Sequence, residues 1–310
     1  MCGIAGIIYK NSRTADIGTE MTAMLQSMKH RGPDSTGFAL FGPRADQIVI
    51  RFTLADANDR RDFGFNKRLE RNRVEIESRL AKTGASVDRV EGDTDYAYRA
   101  VVDYDGDLKP LTDYLEDVAG CEVLSIGHSL EIIKDLGDAR TVADQYHLAG
   151  FDGTHAIGHV RMATESDVDI SGAHPYWAYP FHDVAVVHNG QLTNYFQWKR
   201  RLERSGHRFQ SECDSEIIAV YLAQKMEEGL TLAEAMHESL DQLDGVFTYI
   251  CVTADALGVA KDEMAAKPLV LFENDDIVAM ASEEVAIRAI LDHEIDTYDP
   301  YERQVLVFNR

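Results

Sequence analysis

Cys2 becomes the N-terminal residue once a single methionine is removed, and then carries a thiol and a free α-amine on one carbon. That pair can act as a complete nucleophile and base, because a thiolate attacks carbonyls well and an α-amine, titrating at roughly 7.7–8.0, can take up and return the proton. A side chain as small as that of cysteine permits removal of the methionine. Taken alone, Met1-Cys2-Gly3-Ile4-Ala5-Gly6-Ile7 reads equally well as a cysteine in an apolar first strand. The other polar segments must decide.

His188-Asn189-Gly190 follows the apolar run Val184 to Val187. A turn at that strand end would aim the Asn189 amide and the Gly190 N–H at one developing oxyanion, and one such donor is worth ~3–4 kcal/mol. A bare Asn-Gly pair also reads as a hairpin turn. Arg161, within Gly158 to Thr164, ends a strand where its guanidinium can grip a carboxylate through two parallel hydrogen bonds or make a surface ion pair. Asp214 precedes a helix, where it can hold an ammonium group or cap the helix. His30 to Gly37 is a polar turn suited either to lining the cysteine end of a sheet or to a purely structural role.

These groups need elements to hold them. Ile4 to Tyr9 reads as a buried strand, Thr19 to Lys29 as a helix with Met21, Met24, Leu25 and Met28 on one face, and Phe38 to Leu40 as a second strand. From about residue 59 to 150 the texture changes. A charge-rich helix over Arg60 to Lys82 is followed by strands at Tyr96 to Tyr104 and Glu122 to Ile126, which suits a small inserted α+β subdomain. The second half returns to strands and helices in blocks, with helices at Tyr195 to Ser205 and Ser215 to Glu227 and a strand-rich tail from Val246 to Phe308. Block clustering favours a layered α+β sandwich over a regular parallel sheet.

Composition narrows the partners. A chain of 310 residues that is 45% hydrophobic can bury a large core. Its net charge of −22 argues against nucleic acid or an anionic membrane as partner. No apolar run approaches the ~20 residues of a membrane span, and the N-terminus lacks a signal-peptide pattern, so a cytoplasmic location is expected. Cysteines at 2, 121, 213 and 251 show no CxxC, zinc-type spacing or disulfide framework. No metal and no cofactor is expected.

Taken in order, these segments resemble the class II glutamine amidotransferases. That N-terminal-nucleophile family includes the glutaminase domains of glutamate synthase, glucosamine-6-phosphate synthase, amidophosphoribosyltransferase and asparagine synthetase. The resemblance runs from Cys2 to Ala281-Ser282-Glu283, with Ala265 to Leu269 matching the family's "KPL" strand. It implies a four-layer αββα sandwich over residues 2–310, interrupted by the insertion at 59–150. It also implies that Cys2 is the nucleophile with its own α-amine as base, and that Asn189 and Gly190 form the oxyanion hole. Arg161 would bind the glutamine α-carboxylate, Asp214 its α-ammonium group, and Thr164 and Arg31 would belong to the same pocket. Met162 departs from the pattern, since several relatives carry there an aromatic residue that closes over the substrate.

The run "GHVRMATES" and the long spacing from Cys2 to Arg161 are most similar to the glutamate-synthase branch and its stand-alone relatives, such as the amidotransferase subunit associated with N-methylglutamate synthase. The resemblance therefore implies a glutaminase that releases ammonia to a separate, flavin-dependent synthase subunit in a hetero-oligomer. The alternative is a catalytically silent subunit that binds glutamine or glutamate as a sensor or scaffold.

Overall fold

The apolar run at the N-terminus forms strand β1 (Gly3–Tyr9), every residue of which is buried. A strand with no exposed face must lie inside a sheet that is covered on both sides. The structure, a computed structural model, describes residues 2–56, 59–60, 62–162, 170–179 and 183–310. In it, β1 sits third in a six-stranded sheet. It pairs antiparallel with β16 (Ile277–Ala281) on one side and β10 (His155–Arg161) on the other. β15 (Val270–Glu273) closes one edge, and β3 (Ser35–Phe41) and β8 (Leu130–Leu136) continue the other.

The second sheet has five strands in the order β11 (Tyr176–Trp177), β12 (Ala185–Leu192), β13 (Gly245–Val252), β14 (Ala256–Lys261) and β17 (Val305–Asn309). Side chains on a strand alternate between faces, and here the alternation separates two cores. Val187, Ile250, Val252 and Leu257 face β1, whose sheet carries helix α1 (Ile17–Ser27) on its other side. Their neighbours Val186, Tyr249, Cys251 and Ala260 pack instead with α6 (Asp214–Glu227) and α7 (Leu232–Gln242). Gly6 lets the two sheets approach closely, because a Cβ there would lie 3.2 Å from Leu257 Cδ1 and 3.4 Å from Ile250 Cγ2.

A third sheet, ordered β5 (Ser86–Gly92), β6 (Ala97–Asp103), β4 (Ile48–Thr53) and β7 (Glu122–Gly127), carries helices α2 (Phe65–Lys82) and α3 (Leu108–Glu116). It does not coincide with residues 59–150. β4 precedes that segment, whereas β8 and α4 (Ala139–Gln145), which lie within it, pair with β3 and pack on α1. The two-stranded pair β2 (Ala15–Asp16) with β9 (Asp152–Gly153), and helices α5 (Tyr195–Arg204) and α8 (Glu284–Arg288), complete a mixed α/β fold with several sheets and eight helices among the described residues. No helix among them is long and apolar enough to cross a membrane.

Candidate functional site

Strand register sets the site. Gly3 on β1 stands opposite Val160 on β10, so one step back Cys2 meets Arg161 and Met162. The Met162 N–H points at Cys2 Sγ at 3.5 Å, and Sγ lies 3.8 Å from the Met162 carbonyl. Arg161 is the last residue of β10 and its side chain is buried. Cys2, Arg161, Asn189, Gly190 and Asp214 all line one cavity of about 820 Å³, with Tyr195 and Phe196 also on its wall.

The His-Asn-Gly segment is no turn. β12 runs through it to Leu192, with Asn189 opposite Thr248 and Gly190 opposite Phe247. Glycine is required there because φ is +139° and a Cβ would fall 2.1 Å from the Val246 carbonyl oxygen. The Asn189 amide donates to the Cys2 carbonyl at 3.3 Å and to Ser282 Oγ at 3.2 Å. Both bonds are long, and an oxyanion accepting from Asn189 would replace one of them.

Asp214 does not cap α6. The N-cap is Cys213, whose side chain makes no capping bond, and Asp214 is the first helical residue. Its carboxylate instead accepts the Leu192 N–H at 2.7 Å, tying the end of β12 to the start of α6 and leaving a negative charge on the cavity wall. Arg31 reaches Cys2 from outside the cavity lining: Nε donates to the Cys2 carbonyl at 3.0 Å, and Nη1 pairs with Glu283 at 2.6 Å. Thr164 lies outside the described residues.

Several residues of the site carried no role in the sequence reading. Ser282 Oγ accepts the Ile4 N–H at 3.0 Å as well as the Asn189 amide, and its own N–H donates to the Ile4 carbonyl at 2.9 Å, so the segment after β16 clamps β1 to β12. Three histidines form the buried side of the cavity. His159 and His174 stack with ring centroids 4.0 Å apart, the His188 N–H donates to His174 Nδ1 at 3.3 Å, and His188 Nδ1 meets Ser215 Oγ at 2.8 Å. Burial, with His188 and Arg161 beside it, pulls His159 down to about 3. Burial also holds His174 well below its ordinary value, and it lowers His188 against the opposing pull of Asp214. All three imidazoles are therefore neutral at pH 7. The alternation of strands held the signal, since His159 is two residues from Arg161 and His188 two from Gly190. Among the described residues no group of three or more His, Cys, Asp or Glu side chains is arranged to hold a metal ion.

All four cysteines are free. Cys213 shares the cavity, but burial and the Asp214 charge push its thiol up. Burial pushes Cys121 up to about 12 and Cys251 higher still. Burial thus makes Cys121, Cys213 and Cys251 each harder to ionise than an ordinary cysteine.

Similarity to known proteins adds to this geometry. Residues 159–289 match a family model described as a glutamine amidotransferase domain. A putative glutamine amidotransferase of Methanothermobacter thermautotrophicus (strain Delta H) is 38% identical over 309 residues, 98% of this chain and 99% of its own. The glutamine amidotransferase-like protein GlxB of Rhizobium meliloti (strain 1021) is 35% identical over 299 residues, 95% of this chain and 93% of its own. The solved structure of glutamine phosphoribosylpyrophosphate amidotransferase from B. subtilis superposes with a TM-score of 0.60 at 20% identity, a likeness of fold. The match covers 99% of this chain and 47% of that one, so this chain spans about half its length.

Proposed function

The chain belongs to the glutamine amidotransferase family and acts on a carboxamide C–N bond, and from that premise we propose that it hydrolyses glutamine to glutamate and ammonia through a thioester on Cys2. The observation that carries this reading is the convergence of Cys2, Arg161, Asn189, Gly190 and Asp214 on one cavity. A cation and an anion on its walls suit the two charged ends of an α-amino acid, and they leave the side-chain amide to face the thiol.

With Met1 removed, the Cys2 α-amine takes the thiol proton and Sγ attacks the amide carbon. Asn189 and Gly190 stabilise the oxyanion as the tetrahedral intermediate forms. Its collapse breaks the C–N bond, and the amine returns the proton to the leaving ammonia. Water, activated by the same amine, then cleaves the thioester to glutamate. Arg161 and Asp214 hold the α-carboxylate and α-ammonium groups, Arg31 braces the Cys2 main chain from outside the cavity, and Thr164 is assigned to substrate binding by the family resemblance alone.

The finer fold reading is the four-layer αββα sandwich of the N-terminal-nucleophile hydrolases across residues 2–310, with a subdomain inserted at 59–150, to whose sheet β4 is added and from which β8 and α4 join the main body. It is supported by α1 packing on one face of the β1 sheet and α6 and α7 on the far face of the β12 sheet. The acceptor side of the reaction rests on the resemblance to the glutamate-synthase branch and the N-methylglutamate synthase amidotransferase subunit. Ammonia passes to a separate flavin-dependent synthase subunit in a hetero-oligomer, and the inserted unit is the docking surface. A glutaminase with no acceptor would waste glutamine, so turnover should be slow alone and rise when the partner orders the site. Co-purification with a flavin-dependent synthase from the same cells, with glutaminase assays in its presence and absence, tests this. Full activity of the isolated chain with no stable partner would contradict it.

A further inference from the structure

We propose that Glu116, the last residue of α3 on the third sheet, is a positioning residue for glutamine binding, acting through Gln210 on the loop that leads to Asp214. The proposal rests on the reading of Asp214 as the ammonium site.

Residues 205–213 form no helix or strand, so something else must fix the path of the chain into Asp214. From below, the buried Glu216 of α6 accepts the Gln210 and Ser211 N–H groups, each at 2.8 Å, and the Ser211 hydroxyl at 2.6 Å. Ser211 Oγ in turn accepts the Cys213 N–H at 3.1 Å, one residue before Asp214. From across the site, the Gln210 side chain is held at all its polar positions. Its amide donates to Glu116 Oε1 and, at 3.1 Å, to the Val123 carbonyl, while its oxygen accepts the Trp177 indole N–H at 2.8 Å. Glu116 is itself fixed, because it accepts the Val123 N–H at 3.1 Å and pairs with Arg208.

A hydrogen-bonded path therefore runs from the third sheet to the cavity wall through Glu116, Gln210, Glu216, Ser211 and Cys213. The space beside it is open. A cavity of about 460 Å³ is lined by Asp56, Glu116, Ser171, Arg208, Phe209 and Gln210, and Ser171 borders the cavity beside Cys2 as well. Without Glu116 the loop has room to shift, and a shift there moves Asp214. The third sheet thereby takes part in substrate binding although it contributes no side chain to the cavity.

Steady-state kinetics of the full chain test this, using Glu116→Ala, Gln210→Ala, the double variant, Glu116→Gln and Asp214→Asn. Melting temperatures and the rate of Cys2 alkylation by iodoacetamide, which lacks the α-amino-acid groups, accompany each. Glu116→Ala and Gln210→Ala should each raise the glutamine KM about 10-fold with kcat within about two-fold and alkylation unchanged. The double variant should be no worse than either single one, and Glu116→Gln should recover much of the loss because it keeps an acceptor oxygen. If Glu116→Ala fails to fold, Gln210→Ala carries the test. An unchanged KM in Gln210→Ala or Glu116→Ala, with Asp214→Asn impaired, overturns the proposal and leaves the ammonium site standing. An unchanged KM in Asp214→Asn overturns the site reading and the proposal with it.

Discussion

Arg31 Nε donates to the carbonyl oxygen of Cys2 at 3.0 Å while Nη1 is held by Glu283 at 2.6 Å. The guanidinium is buried, and it braces the main chain of the residue proposed as nucleophile. Arg31→Ala should lower stability by about 2 kcal/mol, the usual worth of a charged hydrogen bond. It should lower kcat about 10-fold or more with little change in the glutamine KM, because it loosens the attacking group and not the substrate. Thermal melting and steady-state kinetics check this. An effect confined to KM would place Arg31 on the substrate.

Binding and chemistry should separate between the two sides of the cavity. In the proposed mode of binding Arg161 and Asp214 hold groups that do not react, so Arg161→Ala and Asp214→Asn should raise the glutamine KM about 10- to 100-fold and spare kcat. Asn189→Ala removes the donor proposed for the charge that develops in the transition state, and should cut kcat about 10²- to 10³-fold. Kinetics of the three variants, compared side by side, decide. Equal losses of kcat at unchanged KM in all three would argue against these roles.

The histidine cluster makes a prediction about pH. His159 is pulled down to about 3, and His174 and His188 are lowered, mainly by burial. An unfolded histidine titrates near 6.5, so below that pH the unfolded chain binds protons that the folded chain does not. Stability contributed by His159 is therefore complete above about pH 6.5 and is lost as pH falls toward 3, by up to ~1.4 kcal/mol per pH unit, and the lowered His174 and His188 act in the same direction. Glu216, raised by burial, works in the opposite sense nearer the carboxylate range. Melting temperatures between pH 7 and 5 should fall, and His159→Gln should flatten that slope.

Most of the strands and helices were legible because their apolar spacing is regular. Phe65–Lys82 and Asp214–Glu227 fall inside or within a residue of the helices expected from periodicity. β8 was not legible, because Glu131, Lys134 and Asp135 interrupt an apolar run that is nonetheless buried. Arg51 and Arg99 neutralise Glu131, and the Tyr96 and Tyr146 hydroxyls donate to Asp135, partners that only the fold brings near. β5 escaped for the opposite reason, since it is exposed along most of its length and shows no apolar face. At the site, Cys2, Arg161, Asn189, Gly190 and Asp214 stood out as residue types. Ser282 and Gln210 did not, because a serine or glutamine acquires its role from contacts distant in sequence.

The most direct measurement is intact and peptide mass spectrometry of the purified chain before and after treatment with an electrophilic glutamine analogue. The account predicts a chain lacking Met1 that gains one adduct, on Cys2, with labelling and ammonia release both abolished by Cys2→Ala. An adduct on Cys121, Cys213 or Cys251, or ammonia release that survives Cys2→Ala, would contradict it.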